Sequence, residues 1–430
     1  MELLDNPVRP YAWGSRAVIA ALLGQPVPSP HPQAELWLGA HPADPSRLVT
    51  ATGTSRSLLD AVREDPDGML GPQRAGYWDG RLPFLLKVLA AEEPLSLQAH
   101  PSAQQAAAGF AREEARGIGR DAPERNYRDP SHKPELICAL TEFHALVGFR
   151  DAQETVRLLR ALAVDDLAAH VELLAGDPNQ DGMRALFTTW ITLPQNALDK
   201  LVPAVQEGCV RLLQQFAEQG VDAAGKRFGA PGYGEYFDAE ARTVLELSER
   251  YPGDGGVLAA LLLNRVTLAP GEALYLPAGN LHSYLSGAGI ELQANSDNVL
   301  RGGLTPKHVD VPELLRVLDF RCGPERVRRG EIDGPWTQYD TPAEEFRLSR
   351  LDWTEPAPAV GLPDGGGRIL LCTEGAAAVE GDGQAMTLQR GQSLWLSAAD
   401  RGVTVAPELA PTQLFLATDG LDNIELADGL

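Results

Sequence analysis

The segment from Gly271 to Asp310, GEALYLPAGNLHSYLSGAGIELQANSDNVLRGGLTPKHVD, decides the fold. A glycine, a short apolar run, the turn Pro277-Ala278-Gly279 and then His282 describe a strand that delivers one imidazole beside a tight corner. That corner requires Gly279, or a residue equally free in backbone angle. Beyond it stand the carboxylate of Glu291 and the cations Arg301 and Lys307. One segment therefore carries metal-ligand, acid/base and anion-holding residue types.

Working outward, the chain has 430 residues, 44% of them hydrophobic, which suits a globular protein of two or three domains. Its formal charge of −22 argues against nucleic acid or an anionic membrane surface as partner, while leaving room for an anionic small molecule held by a few local cations. The first ten residues, MELLDNPVRP, show neither a basic start nor an apolar stretch, and no apolar run reaches spanning length. A soluble, cytoplasmic protein is expected, without nucleic-acid or membrane partners. Cys138, Cys209, Cys322 and Cys372 are widely spaced, so neither a disulfide framework nor a thiolate metal site is suggested.

In chain order, AELWLGAHP (Ala34 to Pro42) reads as an apolar strand with His41 at its exit. LPFLLKVLAAEEPLSLQAHPS (Leu82 to Ser102) reads as two strands. In the first, Lys87 sits amid apolar residues and must be paired or reach out of the sheet. The second, Leu95 to His100, alternates, so Ser96, Gln98 and His100 share a polar face, either solvated or lining a site. The charged stretch from Arg112 to Arg120 begins as helix. Two prolines then hold NYRDPSHKPEL extended and put Lys133 and Glu135 on one side of it. A surface ion pair is the plainest reading of those two alone.

Between Asp151 and about Tyr251 the apolar period changes to three and four, as in Val156, Leu159 and Leu162 and again in Val202, Val205, Cys209 and Leu212, predicting a helical insertion. His170 lies on such a helix without an evident role. Strand patterns resume at Val257. After Phe320 a polar linker, Arg321 to Pro335, leads to short strands at Phe346 to Trp353, Ile369 to Cys372, Ala377 to Glu380 and Gln392 to Leu396. Gly271-EALYL-Pro277 is echoed by Gly391-QSLWL-Ser397. The position matching His282 is Gly402 and no histidine follows His308, so the second copy lacks imidazole for a metal.

The pattern from Gly271 to His282 resembles the second signature of the cupin barrels, and LSLQAHPS resembles the first with glutamine in place of its first histidine. Gln98, His100, Glu135 and His282 would supply one amide oxygen, two imidazoles and a carboxylate to a divalent ion. LSLQAHPS, NYRDPSHKPEL, AELWLGAHP, YAWGS and SDNVLRGGLTPKHVD, at the places they occupy, are more narrowly similar to type I mannose-6-phosphate isomerase, from Tyr11 to about Phe320. That resemblance implies a mainly β protein with two cupin-type (jelly-roll) barrels and an α-helical domain. Residues 1–150 would begin the catalytic cupin domain, 151–252 form the insertion, 253–322 complete the catalytic domain, and 336–430 form a degenerate cupin-like domain.

It further implies one zinc ion per chain on Gln98, His100, Glu135 and His282, a monomer, and interconversion of mannose 6-phosphate and fructose 6-phosphate. Arg301 would belong to the active site, Lys133 or Glu291 would move the proton, His41 would assist ring opening, and Lys307, Lys87 and Ser96 would bind the phosphate. One departure stands out: His100-Pro101 is followed by Ser102-Ala103, where many members carry a lysine-containing stretch. The competing expectations are a cupin iron(II) oxygenase, a non-catalytic sugar-phosphate-binding cupin, and a sister isomerase acting on glucose 6-phosphate.

Overall fold

The computed structural model describes residues 1–50, 53–218 and 237–421. It is mostly sheet with some helices. Strands that matter for the site are, in order, β1 (Glu2–Asp5), β2 (Glu35–Gly39), β3 (Phe84–Ala91), β4 (Leu97–Ala99), β5 (Glu135–Ala139), β6 (Phe143–Phe149), β7 (Leu263–Leu268), β8 (Ala273–Leu276), β9 (His282–Ala294) and β10 (Leu300–Gly303). The C-terminal strands are β11 (Trp336–Tyr339), β12 (Arg347–Trp353), β13 (Arg368–Gly381), β14 (Ser393–Leu396) and β15 (Thr404–Thr418).

Strand β9 is the organiser. Its first residues, His282 to Ser286, pair with β6, and its second half, from Gly287 to Ala294, pairs with β3 on one edge and in part with β5 on the other. All of these pairings are antiparallel. Period-two alternation then sorts β3: Phe84, Leu86 and Val88 enter a core shared with the C-terminal sheet, whereas Leu85 and Lys87 turn the other way, into a cleft. This resolves the lysine in an apolar strand, because its neighbours face a different layer.

The shared core joins Leu36, Leu86, Val88, Leu136, Ile290 and Leu292 to Phe346, Leu348, Ile369, Leu371, Trp395 and Phe415 of the C-terminal half. Each such side chain contributes roughly 1.5–3 kcal/mol on burial. Strand β1 also crosses over, pairing with β14, so the first residues of the chain belong to the C-terminal sheet. Helices from Ala152–Ala161 to Asp238–Arg250 pack their apolar faces on the outer side of β4, β6 and the start of β9, through Leu97, Phe149, Leu281 and Leu285.

Three local expectations differ from the structure. The helix after His100 (α1, Ala103–Ala115) starts well before Arg112, because Ser102 caps it: its hydroxyl accepts from the Gln105 amide, and the Gln105 side chain accepts from the Ser102 amide. The apolar run at Val257 first forms a helical turn, Gly256–Ala260, and only then β7; a short buried run does not reveal its period. Finally, the pieces Ile369 to Cys372 and Ala377 to Glu380 are one strand, β13, whose register shifts near Gly375, a residue at φ +70°. The last residues of the expected C-terminal domain, 422–430, lie outside the described residues.

Candidate active site

His282 begins β9, opposite Gln98 of β4, and Gln98 in turn faces Arg301 of β10. His100 follows β4 rather than ending it, since Pro101 has no amide for the ladder and Ser102 starts the helix. The His100 carbonyl accepts from the Gly279 amide at 2.8 Å, so the predicted glycine corner, at φ +81°, docks against the residue following β4. Glu135 opens β5, opposite Gln293 of β9.

These placements bring three side chains to one point. The Glu135 Oε2 atom lies 3.3 Å from His100 Nε2 and 3.4 Å from His282 Nε2. All three residues are buried. Each imidazole spends its other nitrogen on a backbone carbonyl: His100 Nδ1–H on Asn298 at 2.7 Å, and His282 Nδ1–H on Asn280 at 3.1 Å. That fixes the tautomers, so both Nε2 lone pairs face the carboxylate, and His100 Nε2 has no hydrogen-bond donor. Burial lowers the His100 pKa to about 4, against the pull of Glu135. Two neutral imidazoles and a carboxylate aimed at one point, each with a backbone or side-chain partner behind it, fit a divalent metal. Gln98 lines the same recess.

A buried ion network forms the floor. Lys133 Nζ meets Glu135 Oε1 at 2.8 Å, and although burial alone would raise the Glu135 carboxyl, Lys133 and the nearby imidazoles hold it well below the usual carboxylate range. Lys87 Nζ sits 2.9 Å from Glu291 and 3.8 Å from Glu35, beneath the Trp37 ring. The Tyr284 hydroxyl donates to Glu291 at 3.0 Å, and Trp37 Nε1–H donates to Glu35 at 2.7 Å. Burial raises the Glu291 pKa despite Lys87.

Above the floor opens a cleft of about 570 Å³, with Ser96, Gln98, Lys133, His41, Arg301 and Lys307 on its wall. His41 accepts the Ala43 amide at Nδ1 and faces Asp297 with Nε2 at 3.4 Å. Burial alone would raise the Asp297 carboxyl, but His41 holds it below its ordinary range. On the same wall, burial and then Arg128 lower the Arg301 pKa; burial, Arg301 and Arg128 lower that of Lys307. Like charges thus crowd one side of the cleft.

Residues 1–152 match the profile of the phosphomannose isomerase type I catalytic domain. The chain is 37% identical over 409 residues to a mannose-6-phosphate isomerase of Salmonella typhimurium, covering 94% of this chain and 97% of that one. The chain belongs to the type I phosphomannose isomerase family. The likeness extends to the human mannose-6-phosphate isomerase, at 33% identity over 368 residues and 81% of each chain. A variant of the Salmonella phosphomannose isomerase superposes with a TM-score of 0.85 at 35% identity, over 98% of this chain and 100% of that chain. Another mannose 6-phosphate isomerase, solved with zinc and yttrium, gives 0.84 at the same identity and coverage.

Ser102, which follows His100-Pro101, serves as the cap of α1. Six residues around the site were not singled out from sequence. Glu35 and Trp37 were hidden in an apolar-looking run, though they alternate on one face. Tyr284 stands two residues beyond His282 and so on the same side of β9. Asp297 and Asn298 lie in the quoted SDNVLRGG stretch, and Arg128 in NYRDPSHKPEL. Among the described residues, no helix is long and apolar enough to cross a membrane.

Proposed function

We propose that this chain interconverts D-mannose 6-phosphate and D-fructose 6-phosphate with one zinc ion held by Gln98, His100, Glu135 and His282. The convergence of two Nε2 lone pairs on the Glu135 carboxylate, at the foot of a cation-walled cleft, carries the reading. When bound, such an ion supplies positive field to the oxygens of an enediol-type intermediate. The chain's own groups do the rest.

Arg301, Arg128 and Lys307 crowd one wall and form no salt bridge among the described residues, which suits a phosphate dianion. Ser96 lies on the same cleft, whereas the Lys87 ammonium is neutralised by Glu291 and Glu35 and lies deeper. Lys307 and Arg301 therefore hold most of the anion in this proposal, with Ser96 and Lys87 as lining. His41, oriented by Asp297, assists ring opening. Proton transfer between the two adjacent carbons falls to Lys133, which lines both cleft and recess, or to Glu291, whose raised pKa suits a general base. The same proposal takes the two sheets as cupin-type barrels, with residues 1–150 and 253–322 forming the catalytic domain around the insertion at 151–252, and 336–430 forming a degenerate copy. The protein is proposed to work as a cytoplasmic monomer.

A coupled fructose 6-phosphate assay tests this directly, run without oxygen, with chelator and then with zinc added back. Turnover should vanish with chelator, return with zinc and ignore oxygen. Oxygen-dependent consumption of substrate would establish the iron(II) oxygenase instead, and binding without equilibration would establish a sugar-phosphate-binding module. Faster turnover of glucose 6-phosphate would move the chain to the sister activity.

A further inference from the structure

The C-terminal sheet repeats the catalytic sheet pair by pair. Leu276 of β8 faces Glu135 of β5, and the echoing Leu396 of β14 faces Arg368 of β13. From that anchor the register carries across neighbouring strands. Leu136 meets Leu292 as Ile369 meets Ala417; Leu85 meets Gln293 as Arg347 meets Thr418; and Trp37 meets Lys87 as Gln338 meets Ser349. The correspondence places Arg368 where the catalytic sheet has Glu135, and Gly402 matches His282.

That substitution changes the chemistry of the position. The Arg368 guanidinium donates to the Pro363 carbonyl at 2.6 Å, to the Ser397 carbonyl at 3.1 Å and to the Asp400 carbonyl. A fixed cation stands where the carboxylate ligand would be, so no metal ion can be held there.

A cup nevertheless persists in the same place. It measures about 450 Å³, close to the 570 Å³ of the catalytic cleft. The register equivalents of Glu35, Trp37, Leu85, Lys87, Glu135 and Gln293, all lining the cleft or its recess, are Trp336, Gln338, Arg347, Ser349, Arg368 and Thr418, and all six line the cup. Deeper in the same half the core is apolar, with Leu351, Leu370, Leu414 and Leu416 fully or almost fully buried, so the cup's polar lining gives way to hydrocarbon there.

The charges in the cup balance. Arg74, Arg347 and Arg368 stand with Asp333, Asp364 and Asp419; Arg74 Nε is 2.6 Å from Asp419, and Arg368 Nη1 is 4.0 Å from Asp364. Balanced guanidinium donors and carboxylate acceptors beside an indole do not select a bare anion. They match hydroxyl groups, each of which both donates and accepts, carried on a carbon ring that can lie against Trp336. We propose that this cup is a second small-molecule site, taking a hexose-sized polyol without a metal ion. The inference rests on strand register and lining residues, independently of the activity proposed above.

Saturation-transfer NMR on the chelator-treated full chain tests it, with free D-fructose and D-mannose as probes. Saturable binding of at least one hexose is expected, weakened about tenfold or more by Trp336→Ala and by Gln338→Leu, and unchanged by Lys307→Ala in the catalytic cleft. Gln338 is exposed, so its variant keeps the test valid if Trp336→Ala fails to fold. Absence of saturable binding, binding that survives both cup variants, or binding lost with Lys307→Ala would overturn the proposal.

Discussion

Replacing Asn298 by Ala should loosen the metal centre without touching a ligand. Asn298 is fully buried. Its Oδ1 accepts from the Arg128 amide at 2.7 Å and the Asp129 amide at 3.3 Å; its Nδ2 donates to the Asp129 carbonyl at 2.7 Å and the Ser131 carbonyl at 2.8 Å. Its own carbonyl anchors His100 Nδ1. Truncation leaves the Arg128 and Asp129 amides and the Asp129 carbonyl without these partners, while the Ser131 carbonyl keeps the Ser296 hydroxyl. Three orphaned backbone groups at roughly 1–3 kcal/mol each would cost about 3–9 kcal/mol if fully buried, and the lower end applies because these bonds are part-buried. The loop at 126–132 should open, and the peptide that orients His100 should lose its anchor. Loss of such an outer contact typically weakens metal affinity about 10–100-fold. Competition against a fluorescent zinc chelator, with amide exchange read at 126–132, measures both effects. Wild-type zinc affinity together with unchanged exchange in that loop would refute the reasoning.

Four further outcomes are expected. Glu291→Gln and Lys133→Met, made separately, should identify the proton carrier by a fall in turnover of at least ~100-fold, and two variants of wild-type turnover would remove both from that role. Lys307→Ala should raise KM for the sugar phosphate more than it lowers kcat, a split visible in steady-state kinetics and absent if Lys307 does not bind the phosphate. His132 pairs with Glu345 and its pKa is raised, first by that hydrogen bond, so the pair stabilises the fold below the unfolded histidine value and ceases to as pH climbs through the raised one. The difference in thermal midpoint between wild type and His132→Gln should therefore be present near pH ~6 and gone by pH ~9, small throughout for a partly exposed pair. Gly279→Ala would place a Cβ 2.9 Å from the Val317 carbonyl at φ +81°, costing about 1–3 kcal/mol in stability and weakening zinc binding through His100; an unchanged midpoint would contradict this.

What was legible in the sequence follows from how local each signal is. His282 and its corner could be read because glycine, proline and histidine sit within one turn, and the polar face of Ser96 and Gln98 because period two is a short-range rule. Lys87 could be recognised as needing a partner, but its partner Glu291 lies 204 residues away, and only strand pairing brings them together. Glu35 and Trp37 looked apolar for the same reason: their role depends on Lys87 in the next strand. Strand β15 was missed because Pro407 and Pro411 interrupt its pattern, yet both sit within a single paired strand. The register repeat between the two halves was invisible beyond one echo, since the sides of the cup kept their places while changing their chemistry.

The division of charge within the cleft explains how a chain of net charge −22 could hold both a cation and a phosphate. On the floor each acid has a partner: Glu135 has Lys133, Glu291 has Lys87 and Tyr284, and Glu35 has Trp37 and Lys87. Three carboxylates against two ammonium groups leave one net negative charge on the floor, where Glu291 and Glu35 share Lys87. On the wall, burial and then Arg128 lower the Arg301 pKa, and burial, Arg301 and Arg128 lower that of Lys307, so like charges repel there. An anion placed among them relieves that repulsion, whereas one placed on the floor would meet the residual negative charge. In the proposed function this arrangement would orient a sugar phosphate before any reaction begins, phosphate toward the wall and carbonyl end toward the recess. That orientation would require the floor to stay dry and paired, which gives the buried lysines Lys87 and Lys133 as large a part in the proposal as the proposed ligands they stand beside.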